Sequence, residues 1–166
     1  MKKIGLISDT HNYFDDRFHR LFADVDEIWH AGDVGDMATL EAIRRFKPLR
    51  AVYGNIDGTE VRHQLKETER FTCEGADILM THIGGYPGRY EPRILEIMRT
   101  NAPAVFIAGH SHILKVIYDK KYSCLHLNPG ACGLSGFHTI RTALRFAIDG
   151  GEVKQMEILE LGARRQ

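Results

Sequence analysis

Apolar residues along the chain recur in two rhythms, one of short unbroken runs and one of helical spacing. Residues 3–8 (KIGLIS), 27–30 (EIWH) and 49–53 (LRAVY) are runs of strand length. Between them Phe14, Phe18, Leu21 and Phe22, and then Met37, Leu40, Ile43 and Phe46, recur every three or four positions. The second set closes at Pro48, as a helix would. This β-α-β-α-β order predicts a mainly parallel sheet with right-handed crossovers.

The second half has a different texture. RFTCEG and ADILMTH read as two strands meeting at Glu74-Gly75-Ala76. A helix with Ile94, Leu95 and Met98 on its apolar face comes next, then a buried strand in AVFIAGH. KVIYDKKYSCLHLNPG reads as a hairpin about Asp119-Lys120-Lys121. TALRFAIDGGEVKQMEILEL reads as another, with Gly150-Gly151 at its turn. The expected fold is α/β: two packed sheets flanked by helices, with a mixed parallel first half and a hairpin-rich second half. At 166 residues, one domain over 1–166 is the expectation.

Composition narrows the classes. Twenty-two Lys and Arg balance 22 Asp and Glu, which argues against a dedicated nucleic-acid surface. No apolar run approaches the ~20 residues of a membrane helix. The opening MKKIGLISDTH is interrupted too soon for a secretory signal. Cys73, Cys124 and Cys132 are odd in number and scattered, which points to a reducing compartment and makes cytoplasm the default.

The residues just past each apolar run carry the chemistry. After KIGLIS come Asp9 and His11; after EIWHA come Gly32 and Asp33; after RAVY come Gly54 and Asn55. DILMT is succeeded by His82, and AVFIA by Gly109, His110 and His112. Sites in open α/β sheets form beyond the carboxyl ends of strands, so these residues are expected to converge. Taken singly, each has an ordinary reading. Asp9 and Asp33 could cap the next helices, Asn55 could serve a turn, and His82 could be incidental. Four imidazoles, two carboxylates and one amide exceed the needs of one tetrahedral zinc. They suit two divalent ions sharing a carboxylate. Nitrogen and oxygen donors without thiolate fit manganese first, with iron, zinc, nickel and cobalt as alternatives, and disfavour copper(I).

The stretches SDTHN, HAGDV, GNID and AGHSH, with LNPG near the end, resemble the calcineurin-like metallophosphoesterases, and most closely their small single-domain phosphodiesterase branch. The resemblance implies a β-sandwich flanked by helices. It implies one metal held by Asp9, His11, Asp33 and His112 and a second held by Asp33, Asn55, His82 and His110, with Asp33 bridging. It also implies hydrolysis of a small phosphodiester by a hydroxide between the metals, so Asp33, Asn55 and His110 are the catalytic candidates.

Many relatives carry a histidine after Gly-Asn as general acid. Ile56 stands there, which leaves the acid unidentified and predicts slow turnover favouring good leaving groups. Asn12 is a candidate phosphate contact, His30 and Asp57 are candidate supports, and Gly84, Gly85 and Gly88 suggest a flexible entry loop. The segment ACGLSGFHTIRT departs from the family continuation, and His138 within it has no assigned role. His19, His63 and His126 have no partners in the pattern. Two alternatives stand beside the phosphodiesterase: a scaffold of the same fold, like the retromer subunit, and a phosphomonoesterase or nucleotidase. Exposed hairpin edges leave homo-oligomerisation open.

Overall fold

The strands are apolar on both sides because most are covered on both sides. A computed structural model describes residues 1–164; residues 165 and 166 of the expected domain lie outside it. The elements run β1 (Lys2–Ile7), α1 (Asp16–Leu21), β2 (Glu27–His30), α2 (Met37–Phe46), β3 (Leu49–Ala51), α3 (Thr59–Gln64), β4 (Thr68–Cys73) and β5 (Ala76–Thr81). Then come α4 (Pro92–Asn101), β6 (Val105–Ile107), β7 (Lys115–Asp119), β8 (Cys124–Asn128), β9 (Ile140–Asp149) and β10 (Glu152–Ala163).

They form two five-stranded sheets, ordered β10-β9-β1-β2-β3 and β4-β5-β6-β8-β7. β1, β2 and β3 are parallel, as the alternating order predicts. The sheets do not divide the chain into halves. The C-terminal hairpin β9–β10 joins the first sheet, with β9 antiparallel to β1 (Lys2 opposite Ile148). In the second sheet β5, β6 and β8 are parallel, so the second half is not built of hairpins alone. Helix α3 carries no apolar stripe; it is six residues long with Val61 as its buried member.

Side chains alternate between layers as the strand period requires. Ile4, Leu6, Trp29, Ile78, Met80, Ile107, Leu144 and Phe146 fill the space between the sheets. Trp29 meets Phe71 of the other sheet edge-to-face at 5.0 Å. The opposite faces carry Ile7, Ile28 and Ala143 toward Phe18, Phe22 and Ile43 of α1, its C-cap and α2. Leu79 and Phe106 meet Ile94 and Met98 of α4. Gly5 is required by this packing, since a Cβ there would lie 2.6 Å from the Phe22 ring. All three cysteines are free and buried, and burial pushes the Cys124 and Cys132 thiols up to about 12. No described helix is long and apolar enough to cross a membrane.

His126 is buried in β8. It stacks on Phe106 and donates Nδ1–H to the Phe106 carbonyl at 3.1 Å, and its Nε2 has no partner among the described residues. Burial lowers this imidazole to about 4. The unfolded chain therefore takes up a proton near pH 6.5 that the native state refuses until about pH 4. Stability should fall across that window and level off below it, by about 3 kcal/mol from this residue. Denaturant unfolding of the native chain and His126→Phe between pH 7 and 4 tests this. A stability difference between them that does not change with pH would refute the assignment.

Candidate metal centre

Every run that ends a strand on this side releases its next residues into a tight, bonded turn. Asp9 N donates to Gly32 O (2.9 Å), His11 N to Asp33 O (3.1 Å) and Gly109 N to His82 O (3.0 Å). These bonds extend the ladders past β1, β2, β5 and β6 and draw the four exits together. The turns are strained. Asp9, His11, Asp33, His110 and His112 have φ of 56°, 44°, 59°, 70° and 61°, in the left-handed region. Such positions cost about 1 kcal/mol or more each and persist where the surroundings impose them. Asp and His are among the non-glycine residues that tolerate it. Gly109 has a different part from the sharp turn its position suggests: its φ is not positive, and a Cβ there would collide with Ser8 Oγ.

The capping alternatives fall away. α1 is capped by Asp15, which accepts from Arg17 N, and α2 by Asp36, which accepts from Thr39 N. Asp9 and Asp33 are left for the centre, buried at 0 % and 2 % exposure. Each carboxylate has one oxygen held by the protein and one facing inward. Asp9 Oδ2 accepts from Ser8 Oγ (2.6 Å) and His110 N (3.2 Å), and Asp33 Oδ1 accepts from Ile56 N (3.0 Å). Asp9 Oδ1 then lies 3.2 Å from His112 Nε2 and 3.8 Å from both His11 Nε2 and His82 Nε2. Asp33 Oδ2 lies 3.4 Å from His11 Nε2 and 3.2 Å from His82 Nε2. Asn55 Oδ1 is 3.0 Å from His110 Nδ1.

The seven expected ligands are thus gathered: Asp9, His11 and His112 form one group, Asp33, His82 and His110 another, and Asn55 stands beside His110. The donors fit cations. Asp9 Oδ1, His11 Nε2 and His82 Nε2 are buried without a hydrogen-bond partner among the described residues, a costly state for polar atoms. Ligand atoms about 2.1 Å from a shared ion sit roughly 3 to 3.5 Å apart, close to the separations seen. His82 Nδ1 donates to Ala31 O at 2.7 Å, which leaves its Nε2 lone pair inward.

Charge explains the electrostatics. Burial works to raise the Asp33 carboxyl, but the facing His11 and His82 imidazoles overcome it and hold the group well below the usual carboxylate range. Asp9 behaves likewise through His11 and His112. Contact with Asp33, then Asp9, pushes His11 up to about 9. Two buried carboxylates thus demand positive charge, and protons on imidazole compete with metal for that role.

A supporting layer holds the turns. His30, whose buried imidazole is lowered to about 4, accepts from Gly32 N at 3.0 Å. Its other nitrogen lies 3.0 Å from Thr10 Oγ1, which donates to Val34 O. Asp57, 3 % exposed, accepts from Val34 N (3.2 Å), Gly35 N (2.8 Å) and Gly54 N (2.8 Å), tying the Asp33 turn to the Asn55 turn. Gly54 leaves room for Asp33, which a Cβ would strike.

A cavity of about 230 Å³ opens over the centre, lined by His11, Asp33, Asn55, His110 and His112, with Ile56 and the fully exposed Phe137. Asn12 does not line it; its side-chain oxygen abuts Gly35. A second cavity of about 250 Å³ adjoins on the Asn55 and His82 side and contains Arg62 and Arg93. The glycine-rich segment after His82 is tied by Glu91 N to Gly84 O (3.0 Å) and Arg89 N to Tyr86 O (2.8 Å). Ser8, Thr10 and His138 also reach the centre, and the pattern of strand exits does not single them out. Ser8 and Thr10 flank Asp9 in sequence, whereas His138 lies 26 positions from its partner and leaves no local signal.

Comparisons with known proteins bear on the family and the fold. The model of the calcineurin-like phosphoesterase superfamily domain matches residues 1–151. A probable metallophosphoesterase of Methanothermobacter thermautotrophicus is 32 % identical over 173 residues, covering 96 % of this chain and 93 % of its own. An archaeal phosphodiesterase structure superposes with a TM-score of 0.75 at 22 % identity, over 95 % of this chain and 99 % of that one. Vps29 from Entamoeba histolytica, complexed with zinc, superposes with a TM-score of 0.71 at 18 % identity, over 95 % and 98 %.

Replacing Asp57 by alanine removes the acceptor of two buried amides and one partly buried one. The expected loss is about 3 kcal/mol of stability. Asp57→Asn keeps an oxygen for the Val34 and Gly54 amides and should lose about half as much. Denaturant midpoints measure both, and a loss under about 1 kcal/mol for alanine would show that the turns hold without it.

Proposed function

Because the chain belongs to the calcineurin-like phosphoesterase superfamily, we propose that it is a phosphodiesterase dependent on two divalent metal ions, its whole length acting as one domain. The observation that carries this is the pair of half-held carboxylates, each turning one oxygen inward toward two or more ring nitrogens. Asp9, His11, Asp33 and His112 would hold one ion, and Asp33, Asn55, His82 and His110 the other. Two such ions supply a water activated near neutral pH and positive charge for the phosphate oxygens.

The chain's own residues supply the rest. Asp33, fixed through Oδ1 by Ile56 N, sits between the two groups and sets their spacing. His82 is locked by its bond to Ala31 O. The cavity walls place the ester over the centre. Arg62 and Arg93 line the adjoining cavity with Glu67, which lies 3.9 Å from Arg93, so the cavity carries a net positive charge beside Asn55 that suits an anionic ester. Manganese is the first candidate metal and cytoplasm the proposed location. An organic phosphodiester small enough for these cavities is the proposed substrate.

Metal content alone would not separate an enzyme from a scaffold, since Vps29 of the same fold is complexed with zinc. Hydrolysis does. Metal-stripped protein should be inert on nitrophenyl phosphodiesters and regain activity with manganese. Asp33→Asn and His110→Ala should each lose more than the roughly 10- to 100-fold that removal of a merely supporting partner costs. A protein that binds two ions yet hydrolyses neither mono- nor diesters would overturn the enzyme reading in favour of the scaffold.

No acid faces the leaving group at position 56, where an isoleucine is 45 % exposed beside Asp33. The rate should therefore fall steeply as the leaving group becomes more basic. Ile56→His should recover part of that loss on alkyl esters, toward the ~100-fold at the low end of what a positioned acid contributes. Alkyl diesters cleaved as fast as nitrophenyl diesters by the native chain would sink this expectation.

A further inference from the structure

His138 belongs to the segment that departs from the family pattern, yet its imidazole meets the centre. Its Nδ1 lies 3.2 Å from His112 Nδ1, with the rings edge-to-face at 5.0 Å. Its Nε2 lies 2.9 Å from the Gly133 carbonyl oxygen. Its own carbonyl accepts from Arg164 Nε at 2.6 Å, and Gly136 leaves no room for a Cβ over the His112 ring. The ring is therefore held on both sides.

Two nitrogens at hydrogen-bond distance need one proton between them, and a neutral imidazole carries a single N–H. A carbonyl oxygen can only accept, so the His138 proton is on Nε2. Its Nδ1 is then bare and accepts the Nδ1–H of His112. Neutral His112 then keeps its lone pair on Nε2, the nitrogen that faces Asp9 Oδ1 at 3.2 Å and takes up either a proton or a cation. Gly133, whose carbonyl starts the chain of bonds, also donates its N–H to Asp9 O at 3.2 Å. Two members of one ligand group, Asp9 and His112, are thus linked through Gly133 and His138.

We propose that His138 is a positioning residue that fixes the tautomer and ring orientation of His112, presenting its Nε2 lone pair to a divalent cation. This rests on the metal centre proposed above, but the protonation pattern can be read without metal. Partners of this kind typically contribute about 10- to 100-fold to metal affinity.

Two substitutions separate this role from simple loop anchoring. In His138→Asn the amide oxygen can occupy the place of Nδ1, keeping the acceptor for His112 while losing the bond to Gly133. In His138→Gln the amide nitrogen can occupy the place of Nε2, keeping the loop bond while losing that acceptor. Long-range proton–nitrogen NMR of the metal-free full chain should show His112 protonated on Nδ1 and His138 on Nε2. Manganese titration should show His138→Gln weakened by about 10- to 100-fold at one of two sites and His138→Asn close to the native chain.

A bare Nδ1 on His112, or a proton on Nδ1 of His138, in the native metal-free chain would overturn the proposal. So would an affinity loss in His138→Asn that equals or exceeds that of His138→Gln, or no loss in either. Failure of the native chain to bind manganese would instead overturn the metal centre itself and leave the NMR result standing.

Discussion

Two carboxylates buried within reach of the same histidine nitrogens are the constraint on which this molecule turns. Asp9 and Asp33 each approach His11 Nε2 and His82 Nε2, and neither is exposed to more than a trace of water. Like charges so placed are expensive to bury unless compensated. Among the described residues, no lysine or arginine forms an ion pair with them. The protein surrounds them with imidazoles, which accept a proton or a metal ion in turn. The strained exits, the second layer of His30 and Asp57, and the glycines at the contacts all keep that arrangement from relaxing.

The sandwich supplies the stiffness this needs. Layers packed on both faces give β1, β2, β5 and β6 no freedom to shift, so their ends are fixed points. A turn with positive φ at a loose loop would simply unwind. Here the turns are tied at each side by ladder bonds from Gly32, Asp33 and His82 carbonyls. Rigidity in the core is thereby converted into strain at the rim.

The positions of the seven expected ligands were legible because each stands within a few residues of an apolar run. A residue that ends a buried strand has a location before it has a structure. The two-layer architecture was legible for the same reason, from runs with no polar face. Other features left no local trace. The partition of the sheets depends on β1 pairing with β9, some 140 residues away, and no window of sequence contains both. Helix α3 buries one residue and so has no stripe to detect. Asp57 was legible as a support for its own loop, but its tie to the Asp33 turn was not, because its three amide partners come from two separate turns. His138 read as idle because its partner is defined only once β9 is in place. Asn12 is adjacent to a ligand in sequence, but its side-chain oxygen turns toward Gly35.

The seating of β1 between β2 and β9 also dictates an order of assembly. β1 and β2 are close in sequence and can pair early, but Ser8 and Asp9 receive the amides of Cys132 and Gly133 from the far side. Loop closure over such a span is slow and comes after local structure. While the chain is being made, Asp9 and Asp33 stay in water, ionised and loosely held. The clustered geometry appears only after β9 has zipped onto β1. The gathering of carboxylates and imidazoles is thus a late event in biogenesis, and a chain cut before β9 would carry every one of these side chains without the seat that crowds them together.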